Sequence, residues 1–155
     1  MTALPRPPFA RRAVAYITHG DRLLVFRHTQ HPEAGIQVPG GTIEDGETPE
    51  AGALREAYEE TGLAGLRLQA YLGQHDLDLA RYGRQGRLRL YYYHLTLDGE
   101  PPERWLHDET DPSDGSPNPD GIRAPIEFEL YWVRYPDEVP ELVGEQGILL
   151  HKLAE

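Results

Sequence analysis

The apolar positions of this chain fall into short runs separated by turn residues. Ala13 to Thr18 reads as a strand, His19-Gly20-Asp21 as a tight turn and Arg22 to Arg27 as a second strand, which together predict an antiparallel hairpin. His28 to Gly35 is polar, contains a proline and reads as a loop. Ile36-Gln37-Val38 is a short extended piece that stops at Pro39-Gly40-Gly41, and the glycine- and acid-rich stretch on to Glu47 reads as another loop. Further along, Leu66 to Leu72, Arg87 to Leu97 and Phe128 to Tyr135 read as strands, and Glu141 to Leu153 reads as a last helix.

Between these strands the period changes. Thr48 is a good N-cap, and Pro49 is tolerated at a first helical position. Leu54, Ala57, Tyr58 and Thr61 follow at helical spacing and predict a buried stripe. Gly62 stands where a left-handed C-cap is wanted, with Leu63 placed to pack back on the last turn. Strands on both sides of one central helix predict a mixed α/β layered domain. With 155 residues, one domain spanning 1–155 is expected. Residues 1–10 read as a flexible lead-in. Residues 99–125, with six prolines and seven acids, read as a long loop insertion of the kind that is functional or disordered.

Composition narrows the chemistry. Hydrophobic residues make up 39% of the chain, enough for a real core. The net charge of −11 argues against a protein that grips long nucleic acid, although a metal can invert the local field for a small anionic substrate. With no cysteine, disulfides, thiolate nucleophiles and zinc ribbons are excluded. The amino terminus carries prolines and arginines rather than an apolar run, and no stretch reaches the roughly 18–20 apolar residues of a membrane span. A cytoplasmic protein without a membrane partner is the default expectation.

The informative segment is the predicted helix. Glu56, Glu59 and Glu60 lie at i, i+3 and i+4, so their carboxylates share about a 100° arc. Each like-charged pair costs an isolated helix about 0.2–0.5 kcal/mol. Hard oxygen donors on one rigid face suit Mg²⁺ or Mn²⁺, and a solvated acidic face is the plainer alternative. Read from Gly41, the chain gives five residues, Glu47, seven residues, then Arg55-Glu56-Ala57-Tyr58-Glu59-Glu60-Thr61-Gly62-Leu63. This resembles the Nudix box, G-x5-E-x7-R-E-U-x-E-E-x-G-U, where U is a bulky aliphatic. Every fixed position matches, and Ala57, where a larger aliphatic is usual, is the one departure.

The resemblance implies a Nudix-like α/β/α sandwich with a mixed β-sheet, and metal-dependent hydrolysis of a phosphoanhydride bond in a nucleoside diphosphate linked to another group. Mg²⁺, or Mn²⁺, would be bound by Glu56, Glu59 and Glu60 with the main-chain carbonyl of Gly41 or Gly40. Arg55 and Glu47 would pair to orient the carboxylates. The general base would be a box glutamate or an acid outside the box. Glu127, which precedes Trp132 in an acid-then-tryptophan strand similar to that of relatives, is the outside candidate. Arg27 is similar in position to a phosphate-contacting arginine. Independently of the resemblance, Tyr91, Tyr92 and Tyr93 alternate faces in a strand, so at least one is expected in the core, and one, with Tyr92 as the candidate, is placed to stack on a base. The partner implied is a small-molecule nucleotide, and a homodimer is compatible with the pattern. ADP-ribose enzymes often carry a proline downstream of the box where this chain reads His75-Asp76-Leu77-Asp78-Leu79, which disfavours that subgroup.

Other signals are open. His28 and His31 are either near the site or, as is commoner for loop histidines, plain polar surface. His75, Asp76 and Asp78 read as an exposed strand edge rather than a second metal site. Trp105 is either a lid or an anchor of the insertion. A non-catalytic nucleotide-sensing module on the same fold is the alternative function, motivated by the long 99–125 segment.

Overall fold

A computed structural model describes residues 9–109 and 126–154. Their elements are β1 (Ala10–His19), β2 (Arg22–His28), β3 (Gly40–Thr42), α1 (Pro49–Thr61), β4 (Leu66–Asp78), β5 (Arg87–Leu97), β6 (Arg104–Glu109) and β7 (Ile126–Arg134), with three short 3₁₀ turns. The expected lead-in at 1–10 falls largely outside the described residues. The expected insertion is partly corrected: Arg104–Glu109 is a strand, and 110–125 lie outside the described residues.

The strands form one mixed sheet in the order β4-β5-β1-β2-β7-β6, with β3 paired to β1. β1 runs parallel to β5, and every other pairing is antiparallel. The β1–β2 hairpin is zipped only at its turn, Thr18 to Leu23 and His19 to Arg22. Beyond that the two strands part, and residues 36–42 fill the opening. Phe26 bonds Gln37 on one side, while Ala15 bonds the Pro39 carbonyl and Ala13 faces Gly41 on the other. The Pro-Gly-Gly turn is therefore held inside a split in the sheet.

Strand alternation divides the core between the two faces. Ala13, Ala15, Ile17, Leu24, Phe26, Tyr93, Leu95, Phe128 and Leu130 pack with Ala53, Ala57 and Ile43 on the α1 side. Val14, Tyr16, Leu23, Val25, Leu90 and Tyr92 pack with Val38 and Leu142 on the other. The second face is not covered by the expected helix at Glu141 to Leu153. That segment is turns followed by a 3₁₀ helix at Leu150–Ala154. Gly144 has φ +57, the backbone bonds of the segment join residues three apart, such as Gln146 N to the Val143 carbonyl, and the Glu145 and Gln146 carbonyls accept from the Tyr92 and Tyr16 hydroxyls.

The helix ends as expected. Thr48 Oγ1 accepts from Ala51 N at 3.1 Å, and Gly62 is left-handed with its N–H on the Tyr58 carbonyl. Its buried face is shifted, however. Ala53, Glu56, Ala57, Glu60 and Thr61 are buried, whereas Tyr58, placed in the stripe by spacing, is 58% exposed. The small side chains of Ala53 and Ala57 let the helix lie close to the sheet, which carries two glutamates inward with them.

Gly40 sits where β3 meets β1 at close quarters. A Cβ there would lie 2.3 Å from the Ala13 carbonyl oxygen, backbone that cannot swing aside. Gly40→Ala is expected to destabilise the fold by roughly 1–3 kcal/mol, read as a lowered urea midpoint at unchanged slope.

Candidate metal centre

The site is built around Arg55. Its Nε donates to Glu47 Oε2 at 2.7 Å and its Nη2 to Glu47 Oε1 at 3.0 Å, a two-pronged pair across the loop before α1. Nη2 also donates to the Thr42 carbonyl at 2.9 Å, tying the helix to β3. Nη1 reaches Glu56 Oε1 and Glu59 Oε2, each at 3.1 Å. The Arg55 hydrogen bonds hold the Glu47 carboxyl below the usual glutamate range.

Glu60 points the other way along the helix. Its Oε1 accepts from Gly40 N at 2.6 Å, which joins α1 to the glycine turn in the sheet split. The Gly40–Gly41 backbone is thus brought beside the carboxylates. A fourth acid arrives from outside the box. Glu109, at the end of β6, is buried, and one carboxylate oxygen each from Glu56, Glu59 and Glu109 fall within 4.8 Å of one another.

This crowding shifts the acids. Burial pushes the Glu56 carboxyl up to about 7; Arg55 opposes the rise, and the charges of Glu109 and Glu59 add to it. Burial also raises Glu60, with Glu109 and Glu56 adding to the effect, against the Gly40 N–H and the more distant Arg12. Glu56 Oε2 is buried without a hydrogen-bond partner. A buried carboxylate oxygen without a partner in a cluster of hard donors has the chemistry a divalent cation needs, so the residues fit Mg²⁺ or Mn²⁺.

The chain matches the NUDIX domain model over residues 8–140. It belongs to the Nudix family. Its sequence is similar to the RNA pyrophosphohydrolase of Gluconobacter oxydans, 39% identical over 37% of this chain and 34% of that protein. It is also similar to the diphosphoinositol polyphosphate phosphohydrolase 3-alpha of Mus musculus, 35% identical over 50% of this chain and 43% of that one. The chain thus spans less than half the length of these curated relatives. The Nudix fold extends over nearly the whole molecule: the crystal structure of the MutT NUDIX hydrolase from Burkholderia pseudomallei aligns with a TM-score of 0.60 at 24% identity, covering 95% of this chain and 99% of that one.

Within the Nudix box, the structure brings Glu56, Glu59, Glu60, Arg55, Glu47 and the Gly40–Gly41 turn together. The candidates outside it do not join them. Glu127 faces away from α1, and its Oε1 accepts from the Thr29 hydroxyl at 2.7 Å. Among the described residues, Glu109 is the acid from outside the box that reaches the cluster. Arg27 lies on that same far face, bound to Glu129 at 2.7 Å. Tyr92 is completely buried on the far face with its hydroxyl on the Glu145 carbonyl, so its ring has no surface to offer a base, and that role is corrected.

The weaker signals also resolve. His28 stacks edge-on against Phe128, and His31 pairs with Glu33 at the surface. Asp76 pairs with Arg89 on the edge strand, and Asp78 caps the following turn, so these acids do not converge. Trp105 anchors, its Nε1 donating to the Thr61 carbonyl at 2.8 Å. Glu109 was missed because it lies in a segment read as loop. No size or polarity period marks it, since Arg104 and Leu106, on the other face of the strand, are as bulky as His107 and Glu109.

The raised Glu56 carboxyl has a pH signature. Below its ordinary value of 4.5 both folded and unfolded chains hold the proton, and the folded state pays nothing. As pH climbs toward about 7 the unfolded chain ionises first, so stability is lost progressively across that window. In chelator, the melting temperature of Glu56→Gln is therefore expected to rise relative to wild type between about pH 5 and about pH 8, with a full difference on the order of 2–3 kcal/mol. Parallel melting curves across that range would rule it out.

Proposed function

We propose that this Nudix chain is a metal-dependent pyrophosphohydrolase acting on a nucleoside diphosphate derivative. The observation that carries the reading is that one carboxylate oxygen each of Glu56, Glu59 and Glu109 fall within 4.8 Å of one another, while Glu56 Oε2 is buried without a hydrogen-bond partner. These three carboxylates would hold the divalent cation, with Glu60 beside them on the Gly40 N–H. When bound, such a cation acidifies a coordinated water and neutralises charge on phosphate oxygens. Arg55 keeps Glu56 and Glu59 pointed inward and prevents them from swinging to solvent. The proton released by the attacking water passes to a carboxylate of this cluster, with Glu109 in place of Glu127 as the candidate from outside the box.

A cavity of about 370 Å³ adjoins the glycine turn on the far face of the sheet, lined in part by Arg12, Gly40, Gly41 and Arg84. Leu77, Leu79, Leu88, Leu90 and Tyr82 make its apolar walls. That combination suits a flat, weakly polar group at one end and a phosphate chain directed at Arg12 and the glycines. Two arginines are few for a leaving group carrying many phosphates, so a nucleoside is favoured over a polyphosphorylated ring.

The test is turnover of a panel of nucleoside diphosphate derivatives in Mg²⁺, with products identified by mass. Glu56→Gln and Glu109→Gln are each expected to lower kcat by at least the roughly 10–100-fold that loss of a metal site's supporting partner costs. Arg12→Ala is expected to raise KM more than it lowers kcat. Tight nucleotide binding with no product in either Mg²⁺ or Mn²⁺ would favour the sensing module instead.

A further inference from the structure

β6 carries three side chains on its inward face, and they touch α1 one after another. Trp105 Nε1 donates to the Thr61 carbonyl at 2.8 Å, His107 Nε2 meets the Glu59 carbonyl at 2.8 Å, and Glu109 completes the carboxylate cluster. Because a carbonyl only accepts, His107 carries its proton on Nε2. Both acceptors belong to the last turn of the helix, where carbonyls lack an intrahelical donor. The fit at this junction is close: with Gly62 at φ +74, a Cβ there would lie 2.9 Å from the His107 ring.

Glu109 is the last residue of its strand, and its charge is repelled by Glu56 and Glu60. That repulsion acts to separate the end of β6 from α1. Two N–H groups placed two and four residues before it oppose that separation by binding the same helix that carries the other acids.

We propose that Trp105 and His107 are positioning residues whose N–H groups lock β6 onto the last turn of α1 and so hold Glu109 against Glu56 and Glu59. This rests on the metal-dependent reading of the cluster. The edge strand is then part of the metal centre's assembly, and the helix C-terminus is the surface on which it is registered.

The experiment is titration of Mn²⁺ into the full chain, followed by calorimetry, with circular dichroism to confirm folding. Trp105→Phe and His107→Phe keep a ring and remove the N–H. Each is expected to weaken Mn²⁺ binding about tenfold. His107→Gln, which keeps a donor, is expected to recover most of that loss. In a Glu109→Gln background there is no placement left to lose, so adding His107→Phe is expected to cost less than about twofold. Unchanged affinity in His107→Phe, or the same tenfold loss with and without Glu109, would overturn the proposal. If His107→Phe does not fold, Trp105→Phe in the same two backgrounds decides. Failure of the metal reading itself looks different: Glu56→Gln and Glu109→Gln would then bind Mn²⁺ as wild type does, or wild type would not bind it.

Discussion

The structure depends on one guanidinium being asked to satisfy more negative charge than it carries. Arg55 binds both oxygens of Glu47, one each of Glu56 and Glu59, and the Thr42 carbonyl. Without it, a half-buried set of acids would repel one another and expel the helix from the sheet. With it, the helix stays docked, but the sum is still negative, because Glu60 and Glu109 share the same space. Residual charge buried this way is neutralised by protons or by a metal. Keeping that charge lowers the stability of the fold, which fits the cation site proposed for it.

The sheet makes the rest possible by parting. Because β1 and β2 are paired only near their turn, the Pro39-Gly40-Gly41 segment can enter between them. Glu60 reaches that segment from the helix side, and the cavity reaches it from the far side. A single glycine turn thus joins the carboxylates to the space where a substrate would rest. The close approach of Gly40 to the Ala13 backbone leaves no room for a side chain there.

How far the sequence is legible follows the range of the interactions. The cap at Thr48, the left-handed Gly62 and the short β1–β2 turn are set by neighbours a few residues away, and they are where spacing puts them. The box is legible for the same reason, since Glu56, Glu59 and Glu60 share one helix and Arg55 and Glu47 lie eight residues apart. Tyr58 departs because periodicity gives the angle of a side chain but not which angle the sheet will cover. Packing chose Ala53 and Ala57, whose size allows close approach.

The chain alone therefore determined the chemistry: a set of hard oxygen donors, an arginine to orient them and a glycine turn, all within one continuous segment. Tertiary structure decided what that segment would meet. It brought Glu109 to the carboxylates opposite Ile126 and turned Glu127, one step further along β7, to the other face. It withdrew Tyr92 into the core, and it left the expected last helix as turns whose Glu145 and Gln146 carbonyls meet the Tyr92 and Tyr16 hydroxyls. These outcomes turn on which surfaces face each other across the sheet, and contacts between residues dozens of positions apart leave no local period to read.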